Sequence, residues 1–396
     1  MRSAVISLVF FASACAATYA DGGFFPPEHG VANTSDQRAV IIDHGGSETI
    51  VLQTAYEGDS SEFAWVIPVP ELISAAQSVG TADPRTFETL DQITAPRRLT
   101  WTSSSAACGC AGSGDGARVE DGVTVWETLR VDDYDVAVLS SEQSADLAAW
   151  LNTNGYGLPG GHEDTLQYYI DRGSYFVALK IAPSADQSAG DNAGGPPGLG
   201  DGGAREMAPI TLTFSTSDLV FPMRISRVST KERVEVLLYV VAPHRATGVN
   251  YSTAEVDAPA SYGGDDFPAA YNRWFEDAIA DAGGRALVVE YAGRLSEWTA
   301  GNPPLSDVLG GGDDWFVTRL RTRLSPAQMS EDIVLTAAAS DDAFEVIVDD
   351  GAVALRGQVA VAMLLVGLVQ GALFRTRRAR RAAWATALCA LMIAIL

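Results

Sequence analysis

Two cysteines separated by one glycine, Cys108-Gly109-Cys110, are the residues whose type and spacing most directly suggest chemistry. Outside a reducing cytoplasm such thiols oxidise. A disulfide closing so small a ring is strained and correspondingly easy to reduce. The pair therefore reads first as a disulfide that stiffens a Gly/Ser loop. The alternatives are a thiol–disulfide redox centre, a soft-metal site or a bond to a partner. A metal would need further ligands, and no other Cys or His lies nearby in the sequence.

The remaining candidates are weaker. His29, His44, His162 and His244 each sit beside Gly or Pro, have no metal-ligand spacing, and read as turn residues. Asp186, Asp191 and Asp201, with the pairs Asp265-Asp266, Asp313-Asp314 and Asp341-Asp342, offer hard oxygen ligands on Gly-rich turns. Calcium is the cation such turns would take, but their spacing fits no EF-hand, and solvated acids are the simpler reading. Gly198-x-Gly200-x-x-Gly203 has the dinucleotide-binding spacing, yet lies in a Pro/Gly stretch rather than between a strand and a helix. Neither a G-x-S-x-G elbow nor a Walker lysine motif occurs. Phe24, Phe25, Trp65, Trp101 and Trp126 could line a glycan or peptide groove, although strand aromatics more often fill cores. No catalytic, cofactor-binding or metal-binding residue is assigned, and no cofactor is expected.

The elements that would position these residues follow from composition and pattern. A chain of 396 residues, 47% hydrophobic, is long enough for one large or two ordinary domains. Its 50 acidic and 27 basic side chains give a net charge of −23, which argues against a nucleic-acid partner. Residues 1–20 read as an export signal: Arg2, the apolar run Val5 to Ala12, and small residues before Asp21. Near the other end, Gly357 to Phe374 is 18 residues without a charge, about 27 Å of helix and close to the hydrocarbon thickness. Arg375, Arg377, Arg378, Arg380 and Arg381 follow and mark the cytoplasmic side, so both ends place residues 21–352 outside. The uncharged 382–396 segment reads as a second thin helix completing a hairpin, with an interfacial segment as the alternative. The expected localisation is the cell membrane, with an acidic periplasmic or cell-surface ectodomain.

Within the ectodomain, Arg38 to Ile42 and Ser47 to Tyr56 read as a hairpin around Asp43-His44-Gly45-Gly46. Glu62 to Val69 reads as a buried strand. Asp83 and Pro84 read as the cap and first residue of a helix presenting Phe87, Leu90 and Ile93. Val123 to Ser140 holds two strands about Asp132-Asp133. Ser144 is expected to cap a helix carrying Leu147, Trp150 and Leu151, and Leu166, Tyr169 and Ile170 repeat that spacing. Tyr271, Trp274, Phe275, Ala278 and Ile279 mark a longer helix between Pro268 and Gly283. Trp315 to Arg321, Asp332 to Ala337 and Phe344 to Val348 read as strands. Strands outnumber helices without strict alternation, so the expected class is α+β with largely antiparallel sheets, a few short helices and a C-terminal transmembrane helix. Residues 183–208 are a Gly/Pro-rich linker or loop between two α+β halves, 21–182 and 209–352.

The order of several segments resembles the bacterial domain-of-unknown-function family 2330. They are Phe24-Phe25, Tyr56-Glu57-Gly58, the run Phe63-Ala64-Trp65-Val66-Ile67-Pro68-Val69-Pro70, and Ala95 to Leu99. Further on come Tyr134 to Leu139, Leu151 to Tyr156, Val289-Glu290-Tyr291-Ala292, Thr318-Arg319-Leu320-Arg321 and Glu331 to Leu335. The resemblance implies exported, often membrane-tethered proteins and supplies no chemistry. The chain departs from the family at Asp21, where many relatives carry Cys, and in lacking a cysteine pair soon after Ala292. The expected function is therefore that of an exported, membrane-anchored envelope protein, a non-enzymatic binding or structural module. Membrane lipid and an envelope protein or polymer are its expected partners. The alternative is an extracytoplasmic redox protein or hydrolase.

Overall fold

The computed structural model describes residues 23–25, 36–56, 64–83, 85–99, 118–120, 122–132, 134–154, 162–181, 205–206, 209–230, 232–264, 266–296, 309 and 315–349. The signal segment, Cys108 and Cys110, nearly all of 183–208, the 357–374 span, the arginine run and 382–396 lie outside them. No helix among the described residues is long and apolar enough to cross a membrane.

The first hairpin forms as its residues require. β2 (Asp36–Asp43) and β3 (Ser47–Tyr56) pair antiparallel with Val40 opposite Val51. Gly45 and Gly46 take φ of 71° and 127°, a region open to glycine, and Asp43 Oδ1 accepts the Gly45 N–H at 2.7 Å. These two strands form the middle of a ten-stranded sheet. Its order is β16 (Ser252–Glu255), β17 (Ala286–Arg294), β18 (Phe316–Leu324), β14 (Val234–Ala242), β2, β3, β12 (Ile210–Ser215) and β5 (Val79–Thr81); β11 (Arg205–Glu206) also pairs with β3, and β20 (Phe344–Glu345) with β17.

A six-stranded antiparallel sheet runs β1 (Gly23–Phe25), β4 (Ala64–Val69), β10 (Tyr175–Ile181), β9 (Tyr134–Ser141), β8 (Val123–Val131) and β7 (Arg118–Glu120). Two small sheets complete the strands: β13 (Leu219–Phe221), β19 (Ile333–Ala337) and β15 (Ala246–Gly248), and the pair β6 (Arg97–Leu99) with β21 (Ile347–Asp349). The helices are α1 (Ala75–Ser78), α2 (Arg85–Thr94), α3 (Ser144–Thr153), α4 (Glu163–Ile170), α5 (Met223–Ser226) and α6 (Phe267–Asp281).

The layers are helix, sheet, sheet, helix. Between the sheets lies the main core, where Trp65, Ile67 and Val177 of the smaller sheet meet Ile41, Ile50, Leu212 and Leu238 of the larger. The outer face of the smaller sheet carries Leu147 and Leu151 of α3 and Leu166 and Tyr169 of α4. The outer face of the larger sheet is covered by Phe87 and Leu90 of α2, and by Tyr271, Phe275 and Ile279 of α6. Every residue of β14 except Glu235 is buried because both of its faces are covered, and it reads as a continuous apolar run for that reason.

The ladders are largely antiparallel, as expected, but three features go beyond the expectation. The large sheet is mixed: β2 runs parallel to β14 and β16 parallel to β17, as β6 does to β21. Both faces of β2 and β14 are covered, so the alternation that marks an antiparallel surface strand is missing from that pair. Strands on either side of 183–208 also pair directly, β3 with β12 and β2 with β14, so the 21–182 and 209–352 halves share one sheet. Ser144 is the first residue of α3 rather than its cap; Gln143 takes that position, and the free Ser144 N–H is met by Gln167 Oε1 of α4 at 2.9 Å. The Asp83 cap does form, accepting the Arg85 N–H at 2.9 Å, and Asp266 caps α6 through the Ala269 N–H at 2.9 Å.

Candidate functional site

At one end the inter-sheet core opens into a cavity of about 120 Å³. Ile67, Pro68, Val69 and Pro70 at the end of β4 form one wall. Ile50 of β3, Phe214 of β12, and Val220 and Pro222 around β13 form the other. Tyr169 comes from the last turn of α4, Arg172 and Ser174 from the turn between α4 and β10, and Asp332 from the residue before β19. The turn is fixed by Gly173, whose φ of 74° reverses the chain; its N–H reaches Ile170 O at 2.9 Å and the Ser174 N–H reaches Tyr169 O at 3.1 Å. That geometry sets Arg172 and Ser174 at the cavity wall.

Asp332 is its main acidic group. Its Oδ1 accepts the Tyr169 O–H at 2.5 Å and the Arg224 N–H at 2.9 Å. Its position is held by Asn250, which donates to Asp332 O at 2.7 Å and accepts the Val334 N–H at 3.0 Å. Asp332 keeps part of its surface accessible, although protein atoms crowd it. That crowding pushes its carboxyl up to about 6, against the opposing effect of the Tyr169 and Arg224 hydrogen bonds. Burial likewise drives the Tyr169 hydroxyl well above its usual value, so it stays a donor. Beside it, the Tyr168 ring lies between the guanidinium of Arg172 at 3.5 Å and that of Arg224 at 4.1 Å. Arg224 also pairs with Asp164 at 3.5 Å, whereas Arg172 has no carboxylate within ion-pair distance among the described residues.

Behind Val220 lies a second unusual acid. Glu48 is fully buried; its Oε2 accepts the Val220 N–H at 3.0 Å and its Oε1 has no partner among the described residues. Burial raises its carboxyl to about 8, so it is protonated at neutral pH.

A separate cluster of charges lies beneath the outer helices of the large sheet. Arg319, Arg321 and Arg323 alternate along β18 and face one side. Arg319 donates to Glu290 at 2.6 Å and to Asp91 of α2 at 2.6 Å; Arg321 binds both oxygens of Glu235 at 2.7 Å, and Arg323 pairs with Glu235 and with Glu276 of α6. Tyr271 closes on Glu290 at 2.5 Å. Burial raises the Asp91 and Glu235 carboxyls, but the arginines outweigh it and hold both below the usual range. Every acid here is matched to a guanidinium, so the ladder fastens α2 and α6 to the sheet.

Those of the residues singled out in the sequence that are described do not converge. His44 sits in the hairpin turn 3.0 Å from Thr49 Oγ1, His162 precedes α4, and His244 lies 2.9 Å from Asp341. No group of three or more His, Cys, Asp or Glu is arranged to hold a metal among the described residues. Trp65 is core, while Trp126 is exposed, donating to Ser140 at 2.9 Å and meeting Tyr175 edge-on. His29, Asp186, Asp191, Asp201, Asp265, Asp313 and Asp314 lie outside the described residues with the cysteines. Asp332, Glu48 and Arg172 went unremarked in the sequence as chemistry. Asp332 stood only within a segment of resemblance, and its setting is made by chain positions far apart in number.

A four-layer α+β protein with a small cavity between its sheets is the class that this fold defines. The chain belongs to the DUF2330 family, uncharacterized proteins conserved in bacteria, which it matches over residues 12–336. No curated protein matches it. No solved structure matches it. Two of the segments that carry the family resemblance, Phe63 to Pro70 and Glu331 to Leu335, contribute to the cavity wall.

Proposed function

We propose that this is an exported, membrane-anchored envelope protein whose ectodomain is a binding module, seating part of an envelope partner in the inter-sheet cavity. The carrying observation is that cavity: apolar walls from both sheets, Arg172 at its wall with no carboxylate in ion-pair distance among the described residues, and two family-bearing segments meeting there. The export signal at 1–20, the 357–374 span and the arginines from Arg375 to Arg381 support the location. The Cys108–Cys110 disulfide belongs to the same reading as a loop brace; the intact mass should lie two hydrogens low and recover on reduction. The proposal invokes no cofactor and no nucleic acid.

A photoreactive side chain at Ser174 tests the cavity reading in intact cells, with exposed Asp281 on the far helix layer as its control. A discrete adduct from Ser174 alone is expected; equal labelling from both positions, or none, counts against it. Reporter fusions at residues 352 and 378 should report outside and cytoplasm, and the reverse result sinks the orientation. One observation favours a hydrolytic second reading: Asp332, raised to about 6, lies in the range of a working general acid. Turnover of an envelope polymer that is lost in Asp332→Asn would promote it.

A further inference from the structure

We propose that the cavity receives a single phenolic ring, the side chain of a tyrosine on the partner, with its hydroxyl donating to Asp332. This rests on the cavity-binding reading above and names its ligand chemistry. The volume sets the size. About 120 Å³ approaches the roughly 150 Å³ of an apolar protein cavity known to take one benzene, so one six-membered ring fits and an indole is too large.

The walls set the polarity. Ile50, Ile67, Val69 and Phe214 give an apolar enclosure, with prolines at its rim, which favours a ring over a sugar or a charged head. The remaining feature is one unused acceptor. Asp332 Oδ1 already takes two donors, from Tyr169 and Arg224, whereas Oδ2 has no hydrogen-bond partner among the described residues. A group entering an apolar cavity beside such an acceptor is stabilised by bringing a donor to it. An ammonium would satisfy Oδ2 as well, but Arg172 at the same cavity opposes a cation. The neutral donor on an aromatic ring of this size is a phenol.

Fluorine NMR titration of the full-length protein in detergent, with empty micelles subtracted, tests this with three probes. 4-Fluorophenol carries the donor, fluorobenzene lacks it, and 4-fluoroanisole offers only an acceptor. The proposal expects 4-fluorophenol to bind about tenfold more tightly than either of the others, as one charge-assisted hydrogen bond implies. This comparison uses the unmodified chain and depends on no variant folding. In Asp332→Leu the preference should vanish, and in Val220→Trp, which fills the cavity, binding of all three should fall at least tenfold.

Equal affinity for the three probes would overturn the donor assignment. Tight 4-fluorophenol binding that survives Val220→Trp would overturn the location. Failure of every probe while the Ser174 adduct still forms would overturn the phenol and leave the cavity reading standing; failure of both would remove the two together.

Discussion

Arg319 Nε donates to Glu290 Oε2 at 2.6 Å, with 8% of the arginine side chain exposed and none of the glutamate. Glu290 also accepts from Tyr271 and lies 3.4 Å from Arg321, so one carboxylate serves three donors. Glu290→Ala leaves two guanidiniums facing each other without that anion. Breaking a buried pair from one side costs about 3–5 kcal/mol, and the urea midpoint should fall accordingly. Glu290→Gln keeps the shape and should cost less. Equal midpoints for wild type and Glu290→Ala would show that the ladder does not hold the outer helices.

How far the fold was legible depends on which signals are local. The β2–β3 hairpin, the Asp83 cap and the apolar faces of α2 and α6 were readable because each is written within a few residues; Asp266 was read as a turn acid and not as the cap it is. The parallel β2–β14 ladder was not, because it joins positions about 200 residues apart, as Val40 and Tyr239 show. Ser144 misled because the helix begins one residue earlier than a Ser144 cap requires, with Gln143 at the cap position and Gln167 of the next helix accepting the Ser144 N–H. At the cavity nothing in the numbering brings Asp332 to Tyr169 and Arg172, or sets Glu48 behind Val220. One signal was available: arginines at 319, 321 and 323 recur with strand period, and three guanidiniums on one strand face require matching acids if that face is covered.

Glu48 predicts a pH dependence of opposite sign to ordinary acid unfolding. Its carboxyl moves from 4.5 to about 8 on folding, chiefly through burial. The folded state then holds a proton that the unfolded chain has lost, so stability is full below pH 4.5 and declines as pH rises to about 8. The slope for one such group is about 1.4 kcal/mol per pH unit. Glu48→Gln keeps the donor-acceptor shape without the charge and should flatten the decline while raising stability at pH 8. Unfolding midpoints at intervals from pH 4 to 9 decide it; parallel curves for the two proteins would refute the buried-acid account.

Tyr169 tunes Asp332. Its hydroxyl is the first of the groups that pull the carboxyl down against burial. Tyr169→Phe removes that donor and also strands the Ile225 N–H, which the same oxygen accepts at 3.0 Å. The Asp332 carboxyl should then rise above about 6, and stability should drop by about 1–3 kcal/mol for the unsatisfied buried group. Carbon-13 titration of the aspartate carboxyls reads the first effect directly. An unmoved Asp332 would mean that the Tyr169 contact does not govern it.

Gly173 offers a test free of packing. A Cβ there would meet nothing within 4 Å, yet φ is 74°, so any cost of substitution comes from the backbone alone. Gly173→Ala should lower stability by about 1–2 kcal/mol, the usual penalty for a Cβ in left-handed conformation. Gly173→Asn should recover part of it, because asparagine visits that region more readily. The same turn carries Arg172 and Ser174 to the cavity, so Gly173→Ala should also weaken the Ser174 photo-adduct more than Gly173→Asn does. If both variants match wild type in midpoint and labelling, the left-handed turn is not what places those two residues.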